Sequence, residues 1–437
     1  MPGIAHATLT ECIFHILPQW EQEFWKEHQT NSARYASLPD DIANNLHARY
    51  CRLPLPYADQ DIAARRMPFC RQPDNAIDIP HGPTDAQFAM APFAPCYQRA
   101  SAAYVIDFYF RKMIESLAAG NSHESFIYAS VLAHYIEDCS HPIHSVDNPE
   151  VYEYLPPPPG KYWQLHRIMD NIPADPIQLM QARPRLLGLS IEEAIFHAVS
   201  DYETMLATTK GTLIPLVSAF YAGAGEPQMK TLLNDCFFKA VELTASLWHT
   251  AHAIAAKRFD TREVAGLQTV ALNGIRPLYA FTIDPYFFAP LVDGDCDEQG
   301  NRIPLRLHDS RGQSGTRELR GGLAMAFGFV VYDIPPGIYH EFQATIGLSS
   351  VTKPPGGAIF KVVRGGPPVY EKYHTKLVTY GGPVVFESGV IRPDDPAQNV
   401  AVSLGDAARI TLMVEGSEGI AKLHAIWGEP MLVKSKS

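Results

Sequence analysis

Hydrophobic residues recur at helical spacing through the first part of the chain. The first such segment covers residues 5–28 and allows a break at Pro18, because proline lacks an amide hydrogen. Ser190 and Glu193 have the spacing of a capping box, which indicates the start of another helix. Further helices are predicted over residues 97–117, from 126 to the proline at 142, from 191 onward and over 229–257. Residues 1–260 are therefore predicted to form an all-α domain.

After Phe259 the pattern changes to short β-branched or aromatic runs separated by glycine and proline. These runs include 328–332, 339–346, 358–363 and 408–414. Turn signals at this spacing predict an antiparallel β-sandwich or jelly roll. We therefore expect a multidomain α and β chain, with an all-α domain over residues 1–260 and a β-sandwich over residues 265–437.

The composition is that of a globular protein. Of 437 residues, 46% are hydrophobic, which is ample for a buried core. No apolar run approaches the roughly 20 residues that a bilayer crossing needs, and the N-terminal residues lack a basic region followed by a hydrophobic one, so we expect no transmembrane or Sec-type signal segment. The formal net charge of -11 disfavours sequence-independent binding to nucleic acid or to an anionic bilayer.

The seven cysteines contain no C-x-x-C pair, so zinc ligation by cysteine is not expected. Their odd number leaves at least one thiol unpaired within the chain. Cys51, Cys70 and Cys96 are close enough in sequence to form a bridge in an oxidising compartment, and reduced thiols are an equally good interpretation.

Potential metal ligands concentrate in residues 131–145. His134 and Asp138 are four residues apart on the predicted helix, so both project from one face, and His144 follows just after the proline that ends it. Such a pair can bind one hard or borderline cation, and the third ligand can reach the same metal or a neighbouring one. A bare H-x-x-x-D is as often a helix end with surface histidines.

Further candidate ligands elsewhere favour the metal interpretation. His166 and Asp170 repeat the i, i+4 couple inside the helical-looking residues 162–172. His6, Asp59 and His81 add to the set. Imidazole and carboxylate groups are good zinc ligands, and zinc ions held a few ångströms apart can catalyse phosphodiester chemistry without a side-chain nucleophile.

The motif H-Y-I-E-D-C-S-H-P-I-H at residues 134–144 resembles the zinc-dependent phospholipase C family and its relatives, the zinc-dependent single-strand nucleases. H-R-I-M-D at 166–170 and the N-terminal G-I-A-H-A-T-L are similar to two further motifs of that family. The resemblance implies an all-α fold with a trinuclear zinc cluster. The first residue of this chain, Met1, departs from the family, whose members typically begin with a tryptophan exposed by signal cleavage.

The resemblance also implies which residues bind each zinc ion. One ion is held by His144, His166 and Asp170; a second by Asp59, His81, His134 and Asp138; a third by His6, the terminal amine of Met1 or of Pro2, and Asp138 as a bridge. Asp61 or Asp78 could take the place of Asp59, because the spacing is longer than usual. Asp59 is also the candidate catalytic residue that accepts a proton from the attacking water.

Most other histidines match no motif: His15, His28, His123, His249, His252, His308, His340, His374 and His424. His141 lies in the turn beside the cluster and is expected to support the ligands rather than bind the metal. For Tyr57, Tyr135, Tyr162 and Trp163, core packing is the favoured interpretation over the lining of a site for an apolar or quaternary-amine substrate.

The C-terminal part, over about residues 265–432, resembles the NPCBM family of carbohydrate-binding modules, which are jelly-roll sandwiches. The resemblance implies contact with a glycan or a protein, and a scaffold for the catalytic domain is an equally good interpretation. The alternating acidic residues Asp293, Asp295 and Asp297 are similar to a calcium loop but lack its final bidentate glutamate, so a calcium ion there is a further hypothesis.

The leading functional prediction is a zinc metallophospholipase C. It would act peripherally at a membrane surface and cleave phosphatidylcholine-like glycerophospholipids into diacylglycerol and phosphorylated head group. A zinc-dependent single-strand nuclease or other phosphoesterase is the alternative, which the acidic charge disfavours, and a non-catalytic lipid- or glycan-binding effector is the second. The protein is expected to be secreted or translocated out of a bacterial cell, or cytoplasmic if it is not exported. Head-group specificity and oligomeric state stay open.

Overall fold

The computed structural model describes residues 4–36, 99–144, 171–283, 290–297, 299–308, 315–352, 356–370, 377–416 and 423–434. Among these residues, those up to Ala265 form one compact unit and those from Gly266 onward form another. The first unit is helical and the second consists mainly of antiparallel strands. The predicted fold class, an α domain followed by an antiparallel β domain, is confirmed.

The helices of the first unit follow the hydrophobic periodicity. They are α1 (Ile4–Ile16), α2 (Gln19–Trp25), α3 (Ser32–Ala36), α4 (Arg99–Ala118), α5 (Ser122–Ser140), α6 (Pro176–Leu179), α7 (Ile191–Tyr221), α8 (Glu226–Ala256) and α9 (Thr261–Gly266). Short 3-10 segments cover Lys26–Asn31 and Pro142–His144. The first predicted helix is indeed broken at Pro18, which separates α1 from α2.

Helix α5 lies in the middle of the helical unit, and most of its residues are buried. Two tryptophans fix it from neighbouring helices. The indole N–H of Trp25 donates to Ser125 Oγ at 2.9 Å, and that of Trp248 donates to the carbonyl oxygen of Ala129 at 3.1 Å. Their rings also contact each other, with centroids 5.3 Å apart. The side chains that α5 carries are therefore attached to a rigid, close-packed support.

The strands of the second unit are short and numerous. They are β1 (Thr269–Ala271), β2 (Tyr279–Ile283), β3 (Leu291–Val292), β4 (Asp295–Cys296), β5 (Arg302–Ile303), β6 (Arg306–His308), β7 (Thr316–Glu318), β8 (Gly322–Met325), β9 (Phe327–Asp333), β10 (Glu341–Leu348), β11 (Ala358–Val363), β12 (Gly366–Tyr370), β13 (Leu377–Gly381), β14 (Val384–Glu387), β15 (Gln398–Ser403), β16 (Arg409–Gly416) and β17 (Ala425–Val433). A 3-10 turn, Leu272–Gly274, follows β1. The four runs singled out from the sequence form β9, β10, β11 and β16.

Two antiparallel sheets make up the body of this unit. One has the order β15-β10-β17-β8-β3, with β1 also paired to β17, and the other has the order β14-β11-β16-β9-β2. The ring of Trp427 on β17 lies 5.2 Å from that of Phe360 on β11 and 5.9 Å from that of Phe342 on β10. Because β11 belongs to one sheet and β17 to the other, these rings fill the core between two sheets packed face to face.

No helix in the described part of the chain has both the length and the apolar character needed to span a bilayer.

Candidate metal centre

Two of the predicted ligands lie in the last turns of α5. His134 Nε2 is 3.2 Å from Asp138 Oδ2, as the i, i+4 spacing predicts. Asn121 caps the helix immediately before its first residue, Ser122, and its side chain accepts a hydrogen bond from the backbone N–H of Glu124. The helix ends before Pro142, which cannot continue it. The sequence therefore fixes where the helix starts, where it stops and which face carries the ligands.

His6 reaches the same point from the first turns of α1. Its Nε2 lies 3.1 Å from Asp138 Oδ1, and its ring stacks on that of His134 with centroids 4.6 Å apart and planes 22° apart. One carboxylate oxygen of Asp138 thus faces each imidazole. One ligand atom from each of the three residues lies within 4.8 Å of the others, and the side chain of His6 is still 14% exposed.

Glu137 holds His6 in place and was assigned no role from the sequence. Its Oε2 lies 2.8 Å from His6 Nδ1, and its Oε1 accepts a hydrogen bond from Thr10 Oγ1 at 3.0 Å. A proton on Nδ1 directed at Glu137 leaves the lone pair of Nε2 facing Asp138. Histidines that bind metals are usually oriented by such a carboxylate. The sequence feature that could have identified Glu137 is its position, since it directly precedes Asp138, and Thr10 lies four residues after His6.

The electrostatics of this pocket favour positive charge. Burial lowers the pKa of His6, but hydrogen bonds to Asp138 and Glu137, together with their negative charge, outweigh the desolvation and raise the pKa well above its ordinary value. The field that stabilises a proton on this ring also favours a divalent cation, which binds the imidazole in its neutral form.

These residues fit zinc. Imidazole nitrogen and carboxylate oxygen are donors typical of catalytic zinc, which keeps a remaining position open to water or substrate. The supporting carboxylate of Glu137 and the rigid helix α5 supply the orientation that such ligands need.

The other predicted ligands cannot be placed in this centre. Met1, Asp59, His81, His166 and Asp170 lie outside the described residues, as do Pro2 and the alternatives Asp61 and Asp78. The backbone of His144 lies in the 3-10 turn that follows α5, and its side chain is outside the described set. Of the predicted ligands, the structure therefore brings together His6, His134 and Asp138.

Two neighbours of the centre have packing roles. Nδ1 of the buried His141 accepts a hydrogen bond from the backbone N–H of Ile143 at 3.3 Å, which shapes the turn after α5. Tyr135 is buried and stacks on Tyr109, with ring centroids 5.8 Å apart. The position of Tyr135 agrees with the core-packing interpretation.

Among the residues that the structure describes here, the acidic alternation in the second unit does not bring its carboxylates together as a calcium loop would. Asp293 Oδ1 accepts hydrogen bonds from Asn273 Nδ2 and the backbone N–H of Gly322. Asp295 Oδ1 lies 2.8 Å from His424 Nδ1, and Asp297 accepts hydrogen bonds from Asn301. Among the described residues, no metal-binding cluster contains all three carboxylates. The three carboxylates contact different partners, whereas a calcium site needs them to converge on one point.

A known protein family matches part of the second unit. Residues 304–433 match the family model described as the NPCBM/NEW2 domain, which confirms the resemblance found for the C-terminal part. No curated protein matches the chain.

Several solved structures are similar to the chain. Alpha toxin from Clostridium absonum is 9% identical, with 100% of this chain and 96% of that chain covered and a TM-score of 0.33. Alpha-toxin from an avian strain of Clostridium perfringens is 10% identical, with 100% and 98% covered and a TM-score of 0.35. CBM51 from Clostridium perfringens GH95, in complex with methyl-galactose, is 19% identical, with 38% and 99% covered and a TM-score of 0.28.

The CBM51-2 and INT domains of Clostridium perfringens ZmpB are also 19% identical, with 38% of this chain covered and a TM-score of 0.28, and the chain spans only 31% of that protein's length. At these TM-scores the similarity carries no functional argument. The side chains of the N-terminal centre are therefore the basis for inferring a function.

Proposed function

We propose that the N-terminal domain is a zinc-dependent phosphodiester hydrolase, specifically a phospholipase C that cleaves phosphatidylcholine-like glycerophospholipids. The observation that carries the proposal is the position of Asp138, whose two carboxylate oxygens face His6 Nε2 and His134 Nε2 at 3.1 and 3.2 Å. Asp138 would therefore be able to hold metal together with either histidine, as the sequence resemblance implies.

Each described residue has a distinct task in this proposal. Asp138 supplies the shared anionic ligand, and His6 and His134 supply one nitrogen each. Glu137 fixes the tautomer of His6, and Thr10 fixes Glu137. When bound, zinc acts as a Lewis acid toward the phosphate and lowers the pKa of a bound water to about 7.

The remaining parts of the proposal come from the sequence alone. They are three zinc ions per chain, ligand roles for Met1, Asp59, His81, His144, His166 and Asp170, and proton transfer to Asp59. Phospholipid is preferred to nucleic acid as the substrate because the chain has a net charge of -11, and contacts with polyphosphate depend on positive charge.

A comparison of substrates and variants tests the proposal. We would measure zinc per chain, phosphocholine release from phosphatidylcholine vesicles and nucleotide release from single-stranded DNA. The proteins are wild type, His134→Ala and, as a matched control, His15→Ala, which removes an exposed histidine from α1. We expect wild type and His15→Ala to release phosphocholine. In His134→Ala the rate of release should fall by at least about 100-fold, which is more than the loss of a residue that only supports a ligand would cost.

Three results would overturn parts of the proposal. Unchanged activity in His134→Ala, or fewer than two zinc ions per wild-type chain, would remove the zinc centre. Nucleotides without phosphocholine would replace the lipase with a nuclease. Zinc binding with neither product would favour the non-catalytic effector.

For the C-terminal domain we propose that it binds a glycan, supported by the match of residues 304–433 to the NPCBM/NEW2 domain. Retention of the full chain on immobilised galactose or N-acetylglucosamine, with release by the free sugar, is the expected result. If neither column retains the chain and it binds no sugar on an array of other glycans, the scaffold interpretation is the one that stays.

A further inference from the structure

A second cluster of metal-binding side chains lies inside the β domain. Asp295 and Cys296 form strand β4, and His424 lies one residue before β17. All three are buried, with exposures of 0%, 6% and 6%. One ligand atom from each lies within 4.8 Å of the others, and Asp295 Oδ1 is 2.8 Å from His424 Nδ1.

One oxygen of the Asp295 carboxylate is available to bind a ligand. Oδ1 faces His424 and also accepts the backbone N–H of Cys296 at 2.9 Å, whereas Oδ2 is buried with no hydrogen-bond partner among the described residues. A buried carboxylate oxygen without a partner carries an uncompensated desolvation cost. A His–Asp pair alone leaves that cost in place, and a cation bound to Oδ2 removes it.

The backbone holds the ligands in fixed positions. Strand β4 pairs with β5, opposite Ile303 and Arg302. The backbone N–H of His424 donates to Thr352 Oγ1 at 3.2 Å, and its carbonyl oxygen accepts the N–H of Ser349 at 2.8 Å. Ligands on such supports need little reorganisation to bind an ion.

The donor atoms select the type of metal. Thiolate sulfur with imidazole nitrogen suits zinc and chemically similar ions, whereas calcium requires six to eight oxygen ligands. The cluster shares Asp295 with the calcium loop considered from the sequence, but it points to a different ion. It also runs against the expectation that cysteine does not bind zinc in this chain.

We propose that Asp295, Cys296 and His424 bind a divalent ion of the zinc class, which joins β4 to the start of β17 and stabilises the β domain. This site uses no residue of the N-terminal centre. It stands whether or not the domain before it is a phospholipase.

Cobalt substitution of the full chain tests the site, because a thiolate bound to Co²⁺ gives a charge-transfer band in the near ultraviolet that nitrogen and oxygen ligands do not give. The expected result is a band in the wild type that is lost in Cys296→Ser and in His424→Gln. Cys139→Ser is the matched control, since Cys139 is another buried thiol and follows Asp138 directly. It should keep the band.

Zinc content gives a second measurement that does not depend on the absorption. Cys296→Ser should hold one zinc fewer per chain than the wild type, with phosphocholine release unchanged. Circular dichroism checks that each variant is folded. No band in cobalt-loaded wild type, or a band that persists in Cys296→Ser, overturns the proposal, as does equal zinc in a folded Cys296→Ser.

Discussion

The two ligand clusters differ in how the chain assembles them. In the helical domain, His134 and Asp138 lie one turn apart on α5, and α1 adds His6. In the β domain, adjacent residues of β4 meet a histidine from a distant part of the chain. The first cluster has a second carboxylate, Glu137, that orients a ligand, and the second has a thiol. Sites with open positions and orienting carboxylates are typical of catalysis, whereas buried sites with sulfur are typical of structure.

The largest expected effect is that of Asp138→Asn. The amide keeps the shape of the side chain but loses the negative charge that both imidazoles face, so the N-terminal centre should lose zinc. Phosphocholine release should fall by more than about 100-fold, which exceeds the effect typical of mutating a residue that only supports a ligand. The cobalt band assigned to Cys296 should be unchanged. Loss of both signals in a folded variant would mean that the clusters are not independent.

The second effect isolates the orienting carboxylate. Glu137→Gln should weaken zinc binding at the N-terminal centre about 10–100-fold, because His6 loses its charged partner. Titration against a competing chelator measures the affinity directly. Glu124→Gln, on the same helix, is the control and should bind zinc as the wild type does. Equal affinities for both variants would show that Glu137 does not orient His6.

A third effect concerns a buried acid–histidine pair that belongs to neither cluster. Glu21 Oε1 lies 2.6 Å from His249 Nδ1, and His249 Nε2 lies 3.3 Å from Glu263 Oε2. Burial raises the pKa of Glu21 to about 7, against the opposing effects of His249 and Arg258. For His249, burial lowers the pKa, but the bond to Glu21 and the two carboxylates outweigh it and raise the pKa.

The raised pKa of Glu21 means that the folded state binds more protons than the unfolded state between about pH 4.5 and pH 7, and the raised pKa of His249 adds to this excess above its ordinary value of 6.5. The contribution of this pair to the free energy of unfolding should therefore be present at low pH and decline as the pH rises through about 7. Urea unfolding of the full chain across this range measures it. Glu21→Gln should flatten the decline, and the exposed Glu23→Gln should not. The same slope in both variants would contradict the assignment to Glu21.

The smallest effect tests the helix that carries the ligands. Asn121 caps α5 by accepting the backbone N–H of Glu124 at 3.1 Å. Asn121→Ala should lower the free energy of unfolding by about 1 kcal/mol, and Asn121→Asp, which preserves the acceptor, should restore most of it. Zinc content should be the same in both variants. A large loss of zinc in Asn121→Ala would mean that α5 is less rigid than its packing indicates.

Much of the architecture could be predicted because its determinants are local. Helix limits follow periodicity and proline, and the capping box at α7 is present, with Ser190 Oγ accepting the N–H of Glu193. Its return bond differs from the simple pattern, since Glu193 Oε2 accepts the N–H of Leu189. The pairing of His134 with Asp138 is equally local.

The unpredicted features depend on tertiary contacts. Glu137 gains its role only because α1 packs against the end of α5. Cys296 and His424 belong to no spacing motif, since separate parts of the fold bring them together. The alternation of acidic residues suggested calcium because sequence spacing says nothing about which partner each carboxylate meets.

Anomalous diffraction at the zinc edge, on crystals of the full chain, would show directly whether zinc binds at Asp138. We expect density peaks on both sides of the Asp138 carboxylate, one bound to His6 Nε2 and the other to His134 Nε2, at bond lengths of about 2.0–2.2 Å. A map of zinc-loaded crystals with no peak within bonding distance of Asp138 would contradict this expectation.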